Sequence, residues 1–437
     1  MNKLSIKSVV LLFPIFALLL SGCSPLFPGD RSSKTPLEVE SELAREESPE
    51  LPAGDLEVLV QGNSEFALDL FHQIKNSDGN LFYSPYSISS ALAMTYAGAR
   101  ENTAREMAAG LHFNLPQERL HPGFNKLERE LTSRGDIELP EESGDPFQIN
   151  IANAIWGQQN FQFEADFLDT LARSYGAGLR LLDFVNKPDE SRQEINRWVE
   201  DETQEKIQDL LPEGSIDSDT RLVLSNAIYF NAGWQEPFQA DRTKDGPFNT
   251  LDGEKIEVPM MEHDESKTFP YFQEDGFQAF EMPYVGGEMS MLVLLPDPGE
   301  FKSFENNFSL ELLEKIEDGL ASQSLQLTFP KFEYESELSL ARTLAGMGMP
   351  EAFSSTADFS GMTGGKDLFI SDVFHKAFVS VDEEGTEAAA ATAVVMKLTS
   401  MPVDPLEISV DRPFLFLIRD RVTGSVLFVG KVVNPAQ

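Results

Sequence analysis

The segment Ser380–Pro402 reads SVDEEGTEAAAATAVVMKLTSMP. Glu383, Glu384 and Gly385 lead into a run of alanines, followed by Thr392, β-branched residues, Lys397 and Pro402. Alanine is the strongest helix former, so a short helix is one reading. The flanks favour an extended chain, because Gly385 precedes the run and Val394, Val395 and Pro402 follow it. As a strand, one face carries Thr386, Ala388, Ala390, Thr392, Val394 and Met396, and the other Glu387, Ala389, Ala391, Ala393, Val395 and Lys397. Every charge falls on the second face. The first is small and apolar enough to be buried in a sheet. Such a segment can be an exposed loop in one state and a central strand in another.

Strand patterns surround it. RLVLSNAIYFNAGW from Arg221, MSMLVLLP from Met289, LQLTFPKFEYE from Leu325, LEISVDRPFLFLIRD from Leu406 and SVLFVGKVV from Ser425 are apolar runs rich in β-branched and aromatic residues. The last two are joined by a turn at Thr423–Gly424. Helix patterns dominate earlier. NSEFALDLFHQIK sets Phe66, Leu70, Phe71 and Ile74 on one face after an Asn63/Ser64 cap signal. Ser84 and Pro85 open a largely apolar helix as cap and first residue. Thr103 and Glu106 have capping-box spacing, and DESRQEINRWVEDETQEKI from Asp189 is a polar-faced helix. Gly135–Pro146 is an acidic loop. Helices first and strands later, without βαβ alternation, place the chain in the α+β class. No composition break divides residues 56–437, so they form one domain.

The chain has 437 residues, 41% hydrophobic and 24% charged, enough for a sizeable core. With 33 Phe against 8 Tyr and 3 Trp, the interior is dry. The 34 basic and 72 acidic side chains give a net charge of −38. That surface repels nucleic acid and anionic lipid, and suits high salt as well as ordinary solvation.

The N-terminus, MNKLSIKSVVLLFPIFALLLSGCS, has Lys3 and Lys7 and then an apolar run from Val9 to Leu20. The run is short for a membrane span and fits a signal peptide over residues 1–22. Its LSGC ending resembles the lipobox of bacterial lipoproteins, in which the cysteine, here Cys23, becomes lipidated. An ordinary signal peptide with an incidental cysteine is the alternative. Cys23 is the only cysteine, so no disulfide forms within the chain. Residues 23–55 are rich in Pro, Ser and Glu and read as an acidic tether with an r.m.s. reach of ~30 Å. The expected location is extracytoplasmic and membrane-anchored, at the cell surface or in the periplasm, or else secreted. Ser24 after the cysteine permits outer-membrane sorting.

Catalytic patterns are absent from the sequence. His72, His112, His121, His263 and His375 form no HExxH or close pair. There is no GxSxG elbow and no phosphate-cradling glycine loop. A Ser–His–Asp site assembled from distant positions has no pattern to nominate it. The expectation is a protein that is not an enzyme and takes no metal or cofactor.

The chain resembles the serpins, in their inhibitory form. EEGTEAAAAT is similar to the hinge of the serpin reactive-centre loop. NLFYSPYSISSALAMTYAGARENTAREM, LVLSNAIYFNAGW, LTFPKF, DVFHKAFVSVDEEGTEAAAAT, DRPFLFLIRD and SVLFVGKVVNP match serpin signatures in serpin order, from about Leu56 to the C-terminus. The resemblance implies three β-sheets surrounded by helices, with an exposed reactive loop at about residues 383–405. It further implies a suicide substrate: a protease cleaves the loop, forms an acyl-enzyme, and is trapped as the freed loop inserts into the central sheet.

By motif, the hinge comprises Glu383, Glu384, Gly385, Thr386, Glu387, Ala388, Ala389, Ala390, Ala391 and Thr392, with Glu383 starting the loop and paired with a base. Trp234 matches the tryptophan where the sheet top opens. Ser84, Ser87, Asn226 and His375 match the polar cluster at the sheet midpoint. Counting at the usual loop length places the reactive bond at Thr399–Ser400. The stretch from Gly385 to Pro413 is a few residues longer than usual, which keeps Lys397, Leu398, Ser400 and Met401 as alternatives. Thr399 suits an elastase-like or subtilisin-like protease, Lys397 a trypsin-like one.

The implied partner is thus a target protease of the serine class. No dense basic patch exists to bind a heparin-type polyanion, nucleic acid is excluded by charge, and membrane contact runs only through the N-terminal lipid. A monomer is expected. The other readings are a non-inhibitory serpin acting as a binding protein, a cross-class inhibitor of cysteine proteases, and a hydrolase lacking a nameable nucleophile.

Overall fold

The computed structural model describes residues 37–77, 79–135, 148–386 and 405–437. The signal peptide, Cys23, most of the acidic loop and loop residues 387–404 lie outside that set. In chain order the elements are β1 (Leu37–Val39), α1 (Asp55–Ile74), β2 (Leu81–Tyr83), α2 (Pro85–Tyr96), α3 (Glu101–Gly110), α4 (Gln117–Ser133) and β3 (Gln148–Gln158). Next come α5 (Ala165–Tyr175), β4 (Leu179–Leu182), α6 (Pro188–Glu202), β5 (Leu222–Gly233), β6 (Lys244–Asn249), β7 (Lys255–Glu262), β8 (Lys267–Glu274), β9 (Phe277–Pro283) and β10 (Met289–Pro296). The remainder holds α7 (Phe301–Asn307), α8 (Leu310–Gly319), β11 (Ala321–Pro330), β12 (Phe332–Ser339), α9 (Ala341–Gly346) and α10 (Ser360–Thr363). It ends with β13 (Ile370–Val381), β14 (Gly385–Thr386), β15 (Leu406–Ser409), β16 (Phe414–Asp420) and β17 (Val426–Val432).

Two hydrogen-bonded sheets organise these elements. The first has the order β1-β4-β3-β5-β14-β13-β12. The second runs β2-β17-β16-β10-β9-β8-β11-β7-β6, with β15 added beside β11. Three sheets were expected. The second and third are one continuous ladder here, because β11 pairs with β8 through its first half and with β7 through its end.

The sequence of β5 shows why the first sheet is covered on both sides. Leu222, Leu224, Ile228 and Phe230 enter the main core, shared with α1, α2 and the second sheet. Val223 and Ala227 point the other way, into a smaller core with Ile195 and Val199 of α6 and Phe374 of β13. A strand buried on both faces reads as a continuous apolar run rather than an alternating one.

Local signals hold where no tertiary contact competes with them. Ser84 caps α2, its side chain accepting from Ser87 N–H, and Pro85 is the first helical residue. The Asn63/Ser64 signal is different. α1 starts earlier, after Gly54, with Asp55 and Glu57 in its first turn, and Ser64 Oγ donates to Val60 O inside the helix. Phe66, Leu70, Phe71 and Ile74 are buried as expected. Thr103 and Glu106 do not form a capping box. Thr103 Oγ1 donates to Glu351 and accepts from Asp358 N–H, and Glu106 accepts from Glu351 N–H at 2.9 Å. A buried long-range anchor has replaced the local cap.

The expected tether is shorter than composition implied. β1 pairs antiparallel with β4, Leu37 opposite Leu181 and Val39 opposite Leu179. Arg45 Nε donates to Asn125 at 2.8 Å, and Glu46 N–H donates to Arg173 O at 2.9 Å. A short strand and polar contacts from Ser41, Arg45 and Glu46 dock this arm, and these leave no apolar periodicity in the sequence. Gly178 makes room for it: a Cβ there would lie 3.0 Å from Glu40 Cβ and 3.1 Å from Val39 O. Gly178→Val should therefore lift the arm. Limited proteolysis would then cut between Glu38 and Glu50 under conditions in which the unmodified chain resists. Equal resistance of the two proteins would show that the glycine is not needed for docking.

Candidate functional site

The site is a seam. β5 and β13 run parallel and pair directly from Leu222–Ile370 to Ile228–Ala377. At its upper end two hinge residues, Gly385 and Thr386, already lie in the sheet as β14. Gly385 faces Gly233 and Thr386 faces Ala232 across β5, while Thr386 faces Val381 across β13. Gly385 has to be glycine: a Cβ would sit 2.2 Å from Ala232 O and 2.8 Å from Gly233 Cα. The turn from β13 is tied by Asp382, whose carboxylate accepts from the N–H groups of Glu384 and Gly385 at 2.9 and 3.2 Å.

Trp234 and its neighbours grip this turn. Trp234 N–H donates to Glu384 O at 2.7 Å, its indole Nε1–H donates to Asp382 O at 3.0 Å, and Phe238 N–H donates to Glu383 O at 2.9 Å. The indole stacks on Tyr284 with centroids 4.6 Å apart and ring planes 9° apart. The basic partner of Glu383 is Lys331, at 2.8 Å, and Thr243 donates to the same carboxylate at 2.6 Å. Burial pushes the Glu383 carboxyl up, but these two hydrogen bonds and the lysine charge outweigh it and hold it below the ordinary range.

Lower on the seam, Ser84, Ser87, Asn226 and His375 come together, all fully buried. Ser84 N–H donates to His375 Nε2 at 3.1 Å. The proton of the neutral ring is therefore on Nδ1, which donates to Asn226 Oδ1. Asn226 Nδ2 donates to Ser87 Oγ at 2.7 Å and to Asn153 Oδ1, and Ser87 Oγ donates to the same Asn153 oxygen at 3.1 Å. The His375–Asn226 bond crosses from β13 to β5, so it must break if the strands part.

Sequence reasoning missed several members. Asn153 gave a faint signal, a polar residue inside the apolar run of β3. Tyr284, Lys331 and Thr243 gave none, since each acts through a long-range contact, whereas Asp382 ties its own turn two and three residues on, a local Asx signal in the sequence. Glu387 to Thr392 and Lys397 to Met401 lie outside the described residues. Among the described residues no group of three His, Cys, Asp or Glu side chains could hold a metal ion.

A sheet with Gly385 and Thr386 seated at the top of a parallel seam defines a class of protein, and comparison places the chain in it. Residues 61–435 match the family model described as Serpin (serine protease inhibitor). The chain is 39% identical to the leukocyte elastase inhibitor of Xenopus laevis, over 87% of this chain and all of that protein. It is 36% identical to an uncharacterized serpin-like protein of Thermococcus kodakarensis, covering 98% of this chain and 99% of the relative. Among solved structures, that of a thermophilic serpin, tengpin, in the native state aligns with a TM-score of 0.79 at 26% identity, covering 92% of this chain and all of tengpin. The chain belongs to the serpin family. Its family and its elastase-inhibitor relatives support protease inhibition in general.

Burial pushes the His375 imidazole down to about 3 and that of His121, which bonds Tyr175 OH, down to about 4. Unfolded histidines take a proton near pH 6.5, whereas these two stay neutral in the native state. Stability should therefore be full above pH 6.5 and fall as the pH drops towards 4, each histidine removing about 2 kcal/mol by pH 5. Denaturant titrations from pH 8 to 4.5 measure this slope. His375→Asn should lower stability at pH 8 yet make the acid slope shallower by about one proton. An unchanged slope would assign the acid sensitivity to other groups.

Proposed function

We propose that this serpin inhibits serine proteases as a suicide substrate, trapping the acyl-enzyme as its cleaved loop inserts between β5 and β13. The observation that carries the reading is the seating of Thr386. It faces the core, 1% exposed, with the alanine run next in sequence. Continuing its register on both sides sets Ala388 between Phe230 and Val379, Ala390 between Ile228 and Ala377, and Thr392 between Asn226 and His375. The last two positions fall between residues that already face each other across the seam. The inward residues of the entering strand would then all be small, as a packed interior requires. Glu387 would turn outward.

The reactive bond we assign to Thr399–Ser400, with Lys397, Leu398 and Met401 as neighbours to test. An elastase-like or subtilisin-like serine protease is the favoured target, in keeping with the elastase-inhibitor relatives. Clean cleavage without a complex would favour a non-inhibitory binding role, and trapping of papain-type enzymes a cross-class one. We further propose that Cys23 carries lipid and holds the inhibitor on the outer side of a membrane as a monomer. Metabolic labelling with a fatty acid, lost in Cys23→Ala, tests that assignment.

The function is tested with chain lacking its first 23 residues, incubated with elastase-, subtilisin-, chymotrypsin-, trypsin- and papain-type proteases. A protease-sized shift that survives denaturing electrophoresis is expected with at least one serine enzyme, and the mass of the released C-terminal peptide places the bond. Thr386→Arg should abolish the shifted band and leave cleaved inhibitor, because a guanidinium in that seat would be buried without a partner. An unchanged ratio of complex to cleaved inhibitor in Thr386→Arg would rule out insertion at this seam.

A further inference from the structure

Tyr284 is fully buried just after β9, and two backbone and two ring contacts outside the hinge hold it in place. Its backbone forms a bridge with Trp234 and donates to Met289 O at 2.9 Å. Its ring stacks on Trp234, and Phe230 meets it edge-on with centroids 5.2 Å apart. The hydroxyl of this held ring lies 2.8 Å from Thr386 Oγ1. Among the described residues, that is its hydrogen-bond partner.

We propose that Tyr284 is a positioning residue that fixes the register in which the hinge enters the sheet, a role that rests on the inhibitory reading above. Residues 384–388 are Glu, Gly, Thr, Glu and Ala, so Thr386 alone among them has a hydroxyl. A slip of one residue brings Gly385 or Glu387 to the seat and turns the small face of the following strand outward. It also buries a carboxylate charge in the core in the one case, and in the other sets a residue without a side chain against the phenol, which then lacks its partner. A slip of two keeps the face but puts Ala388 opposite Tyr284 and loses the bond, or puts Glu384 there and buries its charge. Only the observed register satisfies the phenol and keeps charge out of the core. Trp234 holds the turn from above, and Tyr284 selects the first residue inside. Once the loop is cut, the entering strand therefore starts from a pair of residues already in place. An aligned start removes the search for register and so favours insertion over hydrolysis of the acyl-enzyme.

Hydrogen exchange by mass spectrometry on the full-length protein reads the seat directly. Tyr284→Phe keeps the ring on Trp234 and removes only the hydroxyl, Thr386→Val removes the partner, and Thr386→Ser retains it. Exchange over 382–386 should quicken roughly three- to tenfold in the first two and stay near the unmodified rate in the third, the size expected for one buried hydrogen bond. With a protease that the unmodified chain traps, Tyr284→Phe and Thr386→Val should raise the share of inhibitor lost as cleaved substrate roughly threefold. Unchanged exchange in both hydroxyl-deleting variants overturns the proposal. So does faster exchange spread through β5, β9 and β10, which would mark Tyr284 as a packing residue only. If the unmodified chain traps no protease, the inhibitory reading fails separately, and the exchange result still decides whether Tyr284 holds the hinge.

Discussion

Parallel pairing of β5 with β13 is the constraint on which the rest of this structure depends. Backbone hydrogen bonds close the seam from Leu222 to Ile228, and at its upper end Gly385 and Thr386 hold the same strands one strand-width apart. A sheet admits a strand only in steps of about 4.8 Å, so the seam is either closed or fully open at each level. Both arrangements exist in this molecule at once, one above the other. The boundary between them lies between Thr386 and the pair Ile228–Ala377.

What the seam separates explains the polar residues buried along it. Parting β5 from β13 breaks the His375–Asn226 bond and exposes a network that also holds Ser84, Ser87 and Asn153. Each partner left unsatisfied in a buried site costs about 1–3 kcal/mol. Such a network resists opening until another polar group replaces the lost partner. The smaller core adds a second resistance. Val223 and Ala227 of β5 and Phe374 of β13 pack together under α6, so a new strand must pass beneath that helix. At the top, the Trp234–Tyr284 stack, the Lys331–Glu383 ion pair and the Asp382 carboxylate hold the turn that carries Gly385 and Thr386.

The N-terminal arm belongs to the other edge of the same sheet. β1 extends the sheet beyond β4, and Glu38 pairs with Arg180, whose guanidinium lies 4.9 Å from the Trp198 ring of α6. The sheet is thus covered from its outer edge to the seam by elements attached to β3 and β4. Beyond the seam, β13 touches that cover through Phe374 and through Lys376, which donates to Gln208 O at 3.0 Å.

Some of this was legible in the residues alone. The alternation of Thr386, Ala388, Ala390 and Thr392 against Glu387 and Lys397 is a property of a strand's period of two, and Thr386 faces inward as that period requires. The cap at Ser84–Pro85, the burial of Phe66, Leu70, Phe71 and Ile74 and the apolar strand at Leu222–Gly233 are likewise local patterns. Other features depend on partners 52 or more residues away. Tyr284 is one tyrosine among 8 until Thr386 arrives beside it, and Lys331 is an ordinary surface lysine until Glu383 does. Thr103 and Glu106 have the spacing of a cap, yet the fold engages them with Glu351 and Asp358. Sequence determined which segment could become a strand and which of its faces could be buried, because those follow from side-chain size and alternation along one chain. Tertiary structure alone decided where that strand begins and what holds its first residue, because both are set by groups that only folding brings within hydrogen-bond distance.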